Sequence, residues 1–494
     1  MANNVLWIMT DQHRADCLGC MGHPVVQTPT LDRLAAEGIV FDNAFCQSPV
    51  CMASRASLLT GRYPAAIGVR GMGVLPPQET TLPETLQRAG YRTAAFGKVH
   101  LTPEQYTRAE LGSDVPSLDW RRFADAARLV PVPDDPCKDN YGFERYVGCN
   151  DLCQGNFRQW LQREAPELLD RPRGRASDNG PRDLFVSPYP SEHHQTTYIA
   201  SQAEDFVRSQ NNEEPWFAFC SFVAPHHPFE APADQIARYD EATVPLPQGK
   251  GGVDPRFVPE PVAGAVGEMD RYSETVQRRI VRHYLASISL IDDAVGRLIH
   301  ALSDTGQLDE TLIVFVADHG EFLGNHGLLR KPSLHYDETL RVPLLLRGAG
   351  LAPRRVASLV ELVDLYPTVL SLLDLPIDPG VQGRDWSSTL RSGEPFGRDD
   401  VYADMYDMQP LVCGQTHGPY AACLTLRTAR WKLNLYPDAG PQYGQLFDLS
   451  DDPDESRNLY ADPARARLRE GLLGRLMQRL HQQVDPLPLR LTQY

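Results

Sequence analysis

The stretch Val5-Leu6-Trp7-Ile8-Met9, followed at once by Thr10-Asp11-Gln12, decides how the chain is read. A short apolar run without polar alternation is the pattern of a strand buried on both faces, as in parallel sheets covered by helices. The pattern returns at Arg92 to Phe96, Trp216 to Val223, Leu312 to Ala317 and Val342 to Leu346. Amphipathic segments lie between these runs. Thr30 to Gly38 has a threonine start, Leu31, Leu34 and Ala35 on one face, and a glycine stop. Leu82 to Ala89 repeats it with Pro83 early and Gly90 after it, and Thr196 to Arg208, Glu274 to Ser303 and Asp364 to Leu373 read as further helices. Strands alternating with helices predict an α/β fold: a large, mostly parallel or mixed sheet sandwiched by helices.

Two regions break this rhythm. Residues 103–191 are rich in Pro, Asp and Arg, weakly periodic and too long for a simple connection, which predicts an inserted loop or lid. From about Asp399 short strand-like pieces take over: Ala422 to Arg427, Trp431 to Tyr436 and Gln445 to Leu449, then a helix from Pro463 to about Gln482. The expected organisation is a catalytic domain over 1–398 and a smaller C-terminal α+β unit with an antiparallel sheet over 399–494.

Composition narrows the function classes. The 494 residues carry a formal net charge of −16 and no lysine- or arginine-rich run, which argues against nucleic acid as a partner. An anionic substrate would need a local basic pocket against that field. No apolar stretch approaches the ~18–20 residues of a membrane span, and Met1-Ala2-Asn3-Asn4 is not a basic leader. The expectation is a soluble cytoplasmic protein acting on a small molecule, with homo-oligomerisation left open. The ten cysteines are scattered, and Cys17-Leu18-Gly19-Cys20 lacks the second pair that a zinc site requires.

Ligands of open α/β sheets bind outside the carboxyl ends of the strands, and the chemistry of this chain collects there. Asp11-Gln12 follows the first strand, Lys98-Val99-His100 the second, His226-His227 the third and Asp318-His319-Gly320-Glu321 the fourth. Singly, Asp11 could be a helix cap and His226 a loop histidine before Pro228. Together, Asp11 and Asp318 are two hard oxygen ligands suited to a divalent cation. Gln12 can add an amide oxygen, and His319 a nitrogen ligand or a supporting hydrogen bond. An all-oxygen set favours Ca²⁺ or Mg²⁺, whereas a histidine ligand admits Mn²⁺ or Zn²⁺.

Cys51-Met52-Ala53-Ser54-Arg55 opens a further helix that runs through Leu58-Leu59-Thr60 to Gly61-Arg62. A helix start offers free N–H groups and the positive end of a dipole to an anion. Arg55, one turn on, can grip tetrahedral oxyanions with its planar fork. The plainer alternative is a buried structural cysteine beside a surface arginine.

The Cys51 to Arg62 segment resembles the signature of the type I, formylglycine-dependent sulfatases. There a Cys-x-Pro-x-Arg core precedes a Leu-Leu-Thr-Gly-Arg helix end, and Ala53 stands where proline is usual. The resemblance extends to Gly97-Lys98-Val99-His100-Leu101, Pro225-His226-His227-Pro228-Phe229, Asp318 to Glu321 with Lys331, and Leu446-Phe447-Asp448-Leu449 with Asp452, Pro453 and Glu455. Gln12 departs from the second aspartate of many sulfatases. Glutamine there also occurs in choline-sulfatase-like and phosphonate-monoester-hydrolase-like relatives.

The resemblance implies an alkaline-phosphatase-like fold and hydrolysis of aryl or alkyl sulfate monoesters. It implies one divalent cation, Ca²⁺ foremost with Mn²⁺, Zn²⁺ or Mg²⁺ as alternatives, held by Asp11, Gln12, residue 51, Asp318 and His319. Cys51 would be converted to formylglycine by a formylglycine-generating enzyme, and one hydroxyl of its hydrate would attack sulfur. His226 with Lys331 would protonate the leaving group, and Arg55, Lys98 and Lys331 would hold the nonbridging oxygens. His100 would be the base that releases sulfate, although His226 and His100 could exchange roles. Two alternatives stand beside this reading. One is phosphonate monoester or phosphodiester hydrolysis with the same machinery; the other is an inactive ligand-binding homologue, should Cys51 stay unmodified.

Overall fold

The computed structural model describes residues 3–71, 75–76, 78–101, 141–149, 155–169, 171–211, 213–248, 253–406 and 422–484. A large sheet is built from β1 (Asn4–Thr10), β2 (Ile39–Phe45), β3 (Arg92–Gly97), β4 (Arg145–Gly148), β5 (Trp216–Ser221), β6 (Thr311–Ala317), β7 (Arg341–Val342), β8 (Leu344–Arg347) and β9 (Arg354–Glu361). Its order is β7-β2-β8-β6-β1-β5-β3-β4, with β9 also paired to β2. The run β6-β1-β5-β3-β4 is parallel throughout, while β8 runs antiparallel to β6 and β2. Trp7 is thus flanked by Phe219 and Val314 in register. The sheet is mixed, and its parallel half carries the polar strand ends.

Successive side chains of a strand point to opposite faces, so β1 serves two cores. Val5, Trp7 and Met9 share one with Ala53, Ala56, Leu58 and Leu59 of the Cys51–Thr60 helix. Leu6 and Ile8 share the other with Ile199 and Phe206 of the Gln195–Ser209 helix and Ile291, Val295 and Leu298 of the Glu274–Asp304 helix. This double burial is why the β1 sequence shows no alternation.

The expected boundaries shift in places. The first helix spans Pro29–Glu37, so it starts before Thr30, with proline at a position where a missing N–H costs nothing. Thr28 offers no side-chain cap; Asp292 of the long helix instead accepts from Thr30 N at 3.0 Å and Leu31 N at 2.8 Å. The expected Val342 to Leu346 strand is two pieces, split at Pro343, which has no N–H for a ladder. Within the region expected to be an insertion, Arg145–Gly148 pairs with β3 as the sheet's edge strand. Residues 103–140, 150–154 and 170 of that region lie outside the described residues.

Beyond residue 399 a separate antiparallel sheet follows, β10 (Asp400–Met405), β11 (Cys423–Thr428), β12 (Trp431–Leu435) and β13 (Gly444–Asp448), in sequential order. Leu472 and Leu476 of the Ala466–Gln482 helix share a core with Leu424, Leu426, Leu433 and Leu446. Buried charges tie the sheet to the rest. Lys432 Nζ meets Asp337 Oδ1 at 2.9 Å and Glu455 Oε1 at 2.8 Å, and Arg479 meets Tyr63 Oη at 2.7 Å and Glu361 Oε1 at 2.6 Å. Glu455, matched to a family motif, is therefore a structural tie. Among the described residues no helix is long and apolar enough to cross a membrane.

Candidate active site

The ends of the parallel strands converge on the start of the Cys51–Thr60 helix. Asp11 leaves β1, Asp318 and His319 leave β6, and Cys51 opens the helix behind Val50, which gives no side-chain cap. Ligand atoms of Asp11, Cys51, Asp318 and His319, all buried, lie within 4.8 Å of one another. Cys51 Sγ stands 3.2 Å from His319 Nε2 and 3.6 Å from Asp11 Oδ1. At the helix end Gly61 has φ 65°, and a Cβ there would come within 2.9 Å of the Tyr366 side chain. Only glycine lets the chain turn so tightly over the core.

Each charge in this cluster has an assigned partner. Asp318 Oδ1 accepts from the N–H groups of Gln12 at 3.0 Å and His319 at 2.8 Å, and Oδ2 accepts from Arg55 Nε at 2.7 Å. Asp11 Oδ2 faces Lys98 Nζ at 2.8 Å and Arg55 Nη2 at 3.3 Å. Burial works to raise the Asp11 carboxyl, but Lys98, His226, Arg55 and Lys331 hold it well below the usual carboxylate range. Lys331 Nζ donates to Cys51 Sγ at 2.9 Å and lies 2.8 Å from His319 Nε2. Burial, followed by the Asp11 charge, pushes the Cys51 thiol up to about 11.

The arrangement fits a cation. His319 Nδ1 is 2.9 Å from the Gly320 carbonyl, so Nδ1 carries the proton and the Nε2 lone pair faces the carboxylates. Nε2 lies 3.6 Å from Asp11 Oδ1 and 3.7 Å from Asp318 Oδ1, a group of acceptors that already draws the Lys331 ammonium to 2.8 Å from Nε2. Gln12 Oε1 is buried without a hydrogen-bond partner. Two carboxylates, an amide oxygen and an imidazole are ligands that divalent cations take.

The flanking strand ends supply the remaining groups. Gly97 closes β3 at φ 93°, where a Cβ would overlap the Ser221 carbonyl oxygen. This close approach carries Lys98 and His100 to the site. Gln12 and His100 both hold left-handed backbone, φ 62° and 59°, a conformation that costs a non-glycine residue ~1 kcal/mol or more. Burial, then Lys98 and Arg55, keep the His100 imidazole neutral, and its Nδ1 has no hydrogen-bond partner. His226 is half-buried, and desolvation lowers its pKa well below the usual value despite the opposing pull of Asp11. His226 stacks on His227 at 4.1 Å between ring centroids, and His227 Nδ1 lies 3.2 Å from Gln12 Nε2.

All ten residues expected from the sequence occur at or beside this cluster, with one change of duty. The sequence assigns Arg55 to substrate oxygens. Instead its fully buried guanidinium donates to Asp318, Asp11, the Ser221 hydroxyl at 2.9 Å and the Lys98 carbonyl. It braces the carboxylates, because it enters from below, inside the core. Two contributors, Ser221 and Ser54, had no legible signal in the sequence, and Glu321 was read only as part of its motif. Ser221 receives Arg55, Ser54 donates to the Asp318 carbonyl at 2.6 Å, and Glu321 accepts from Gln12 Nε2. Ser54 sits one position before Arg55, and only the packed helix shows where it points.

Comparison with known proteins identifies the family. Residues 3–375 match the sulfatase family model, and residues 324–483 match the model described as N-sulphoglucosamine sulphohydrolase, C-terminal. An arylsulfatase of Clostridium perfringens is 28% identical, the match covering 93% of this chain and 90% of that protein. The multifunctional alkaline phosphatase superfamily protein PehA of Trinickia caryophylli is 29% identical over 94% of this chain and 92% of its own. The crystal structure of a phosphonate monoester hydrolase of Agrobacterium radiobacter superposes with a TM-score of 0.80 at 26% identity, covering 99% of this chain and 98% of that one. The chain belongs to the sulfatase family of sulfuric ester hydrolases, within the alkaline phosphatase superfamily.

Proposed function

We propose that the protein hydrolyses aryl or alkyl sulfate monoesters at residue 51, with Cys51 matured to formylglycine and one divalent cation held beside it. The observation that carries this reading is the buried meeting of Cys51, Asp11, Asp318 and His319 at a helix start. Asp11, Gln12, Asp318, His319 and residue 51 would hold the ion. When bound, it would polarise a sulfate oxygen and acidify a hydroxyl of residue 51. The oxygen-rich set favours Ca²⁺, with the imidazole leaving Mn²⁺ next. Formylglycine, once hydrated by one water, would supply two geminal hydroxyls, one to attack sulfur with loss of the alcohol and one whose deprotonation releases sulfate and restores the aldehyde. Cys51 is only 4% exposed, so its oxidation by a maturation enzyme would precede closure of the core.

The chain's own groups divide the remaining work. Lys98 and Lys331 supply the positive field that a sulfate needs in an acidic protein. Lys331 Nζ, next to the residue 51 side chain, can also donate toward the departing oxygen. His226 keeps its Nδ1 2.5 Å from the His227 carbonyl, and Nε2 would be the atom that passes a proton to the leaving group. An anionic ester beside that ring favours its protonated form, making it a general acid for the leaving alcohol. Neutral His100 is suited to accept the proton of the second hydroxyl.

Phosphonate monoester or phosphodiester hydrolysis is the second reading, favoured by the structural match to a phosphonate monoester hydrolase and by Gln12. Mass spectrometry of the residue 51 peptide, combined with a panel of aryl, alkyl and sugar sulfates beside phosphate diesters and phosphonate monoesters, tests both. An aldehyde-mass peptide with the highest kcat/KM on a sulfate ester is expected. Preference for a phosphonate monoester would select the second reading. Unmodified Cys51 without turnover of any ester would make the chain a binding homologue.

A further inference from the structure

Gln12 offers the cation site a side chain whose two ends have opposite polarity. A carboxylate there would present oxygen whichever way it turned, whereas an amide presents either a carbonyl oxygen or an NH₂ group. Something must choose. The Gln12 Nε2 group donates to Glu321 Oε2 and lies 3.2 Å from His227 Nδ1, while Oε1 is buried and has no hydrogen-bond partner. The backbone of Gln12 is held separately: its N–H donates to Asp318 Oδ1 at 3.0 Å, and its carbonyl accepts from Tyr284 Oη at 2.6 Å. Only the amide's rotation remains to be set.

We infer that Glu321 is a positioning residue that orients the Gln12 amide so that its carbonyl oxygen, not its NH₂ group, faces the cation. The inference rests on the cation site proposed above. Glu321 is itself locked. Its Oε1 accepts from the backbone N–H of Leu323 at 2.8 Å and from that of Arg330, leaving Oε2 for Gln12. Arg330 is anchored in turn by Asp183 at 2.7 Å and Glu268 at 2.7 Å. With Oε1 taken by two backbone N–H groups, Oε2 is the acceptor placed against Gln12, and it pairs with the NH₂ end rather than the carbonyl end.

The substitution Glu321→Gln reverses that selection with little change of shape. The new amide must keep its oxygen on the two backbone N–H groups, since turning round would leave both unpaired. Its NH₂ then confronts the NH₂ of Gln12. Gln12 relieves the clash by rotating half a turn, and His227 follows by moving its proton to Nδ1. The NH₂ of Gln12 now points at the cation, which loses an oxygen ligand and gains a repelling dipole.

The test is Mn²⁺ binding to metal-stripped protein by calorimetry, for wild type, Glu321→Gln, Gln12→Asp and the double variant. Glu321→Gln is expected to weaken Mn²⁺ by ~10–100-fold, the range for groups that orient metal ligands, with the metal-free thermal midpoint unchanged. In the Gln12→Asp background either carboxylate oxygen serves, so adding Glu321→Gln should change affinity by no more than about 2-fold, the scatter of independent substitutions. Equal losses in both backgrounds, or no loss in the first, overturn the inference and leave the cation site standing. Wild type that binds no Mn²⁺ and no Ca²⁺ overturns the cation site and the inference with it. Should Glu321→Gln not fold, a crystal structure of metal-loaded wild type decides instead. Gln12 Oε1 on the ion, with Nε2 on Glu321, supports the inference; Nε2 toward the ion overturns it.

Discussion

Arg55 Nε donates to Asp318 Oδ2 across 2.7 Å, and neither side chain reaches solvent. The same guanidinium meets Asp11 Oδ2 at 3.3 Å, so one cation braces both carboxylates that face the site. Removing one member of a buried ionic pair leaves the other uncompensated and typically costs ~3–5 kcal/mol. Arg55→Met should therefore destabilise the metal-free protein by about that amount in urea unfolding. Arg55→Lys should recover only part, because one ammonium cannot replace a fork that serves several acceptors. Stability equal to wild type in the methionine variant would show that the carboxylates do not depend on Arg55.

Asp11 and Asp318 are expected to act on one ion. Changing either to Asn removes ligand charge, which sets affinity for a hard cation, so metal content and turnover should fall together. Elemental analysis after dialysis provides the measurement. Full occupancy in both variants would remove these residues from the ligand set.

Cys51→Ala should abolish turnover while leaving the fold in place and the ion bound, more weakly, by the four remaining ligands. Its side chain lies within 3.6 Å of Asp11 and His319, so metal affinity should fall without loss of the ion at saturating metal. Residual activity above trace level, after metal reloading, would mean that another group attacks the ester.

His226 and Lys331 can be told apart by leaving groups. A general acid matters most when the departing oxygen is strongly basic, and contributes ~10²–10⁴-fold. His226→Ala should therefore slow alkyl sulfates far more than nitrophenyl sulfate, steepening the dependence of kcat/KM on leaving-group pKa. An equal loss across the series would make His226 a sulfate-binding residue and move the acid role to Lys331. His227→Ala should act on metal affinity through Gln12, with an unchanged slope.

A pH-dependent contribution to stability is expected from Asp404 on the β10 strand. Burial pushes its carboxyl up to about 7, while a hydrogen bond from Tyr402 Oη at 3.2 Å and the Arg70 charge oppose the rise. A folded-state pKa above the unfolded value means that folding takes up a proton. The contribution is fully present below the unfolded pKa near 3.8 and is lost as pH rises toward 7. One such group changes stability by at most ~1.4 kcal/mol per pH unit. Asp404→Asn should flatten urea-derived stability between pH 4 and 7 relative to wild type, within that limit. Parallel profiles for the two proteins would exclude the assignment.

Much of the fold was legible because it is written in local patterns. Val5 to Met9 could only be a strand covered on both sides, since every one of its residues is apolar and the run is too short for a helix. Polar residues directly after such strands then had to gather along one edge of the sheet. Asp11, Lys98, His226 and Asp318 were therefore readable as neighbours although hundreds of positions separate them. Boundaries were less legible. The Pro29–Glu37 helix is capped by Asp292, a residue from a distant helix, and no local signal announces such a partner.

Which residues meet at the site was thus a property of the sequence, while the allotment of hydrogen bonds among them was decided by tertiary structure. A sequence shows that Arg55 has a fork but not that Asp318, Asp11, Ser221 and the Lys98 carbonyl use it from within the core. It shows Gln12 but not which end of the amide Glu321 selects. The physical reason is range. Apolar periodicity and strand exits are short-range features set by neighbours along the chain, whereas a hydrogen bond depends on angstrom-level distances between residues brought together only when the sheet closes.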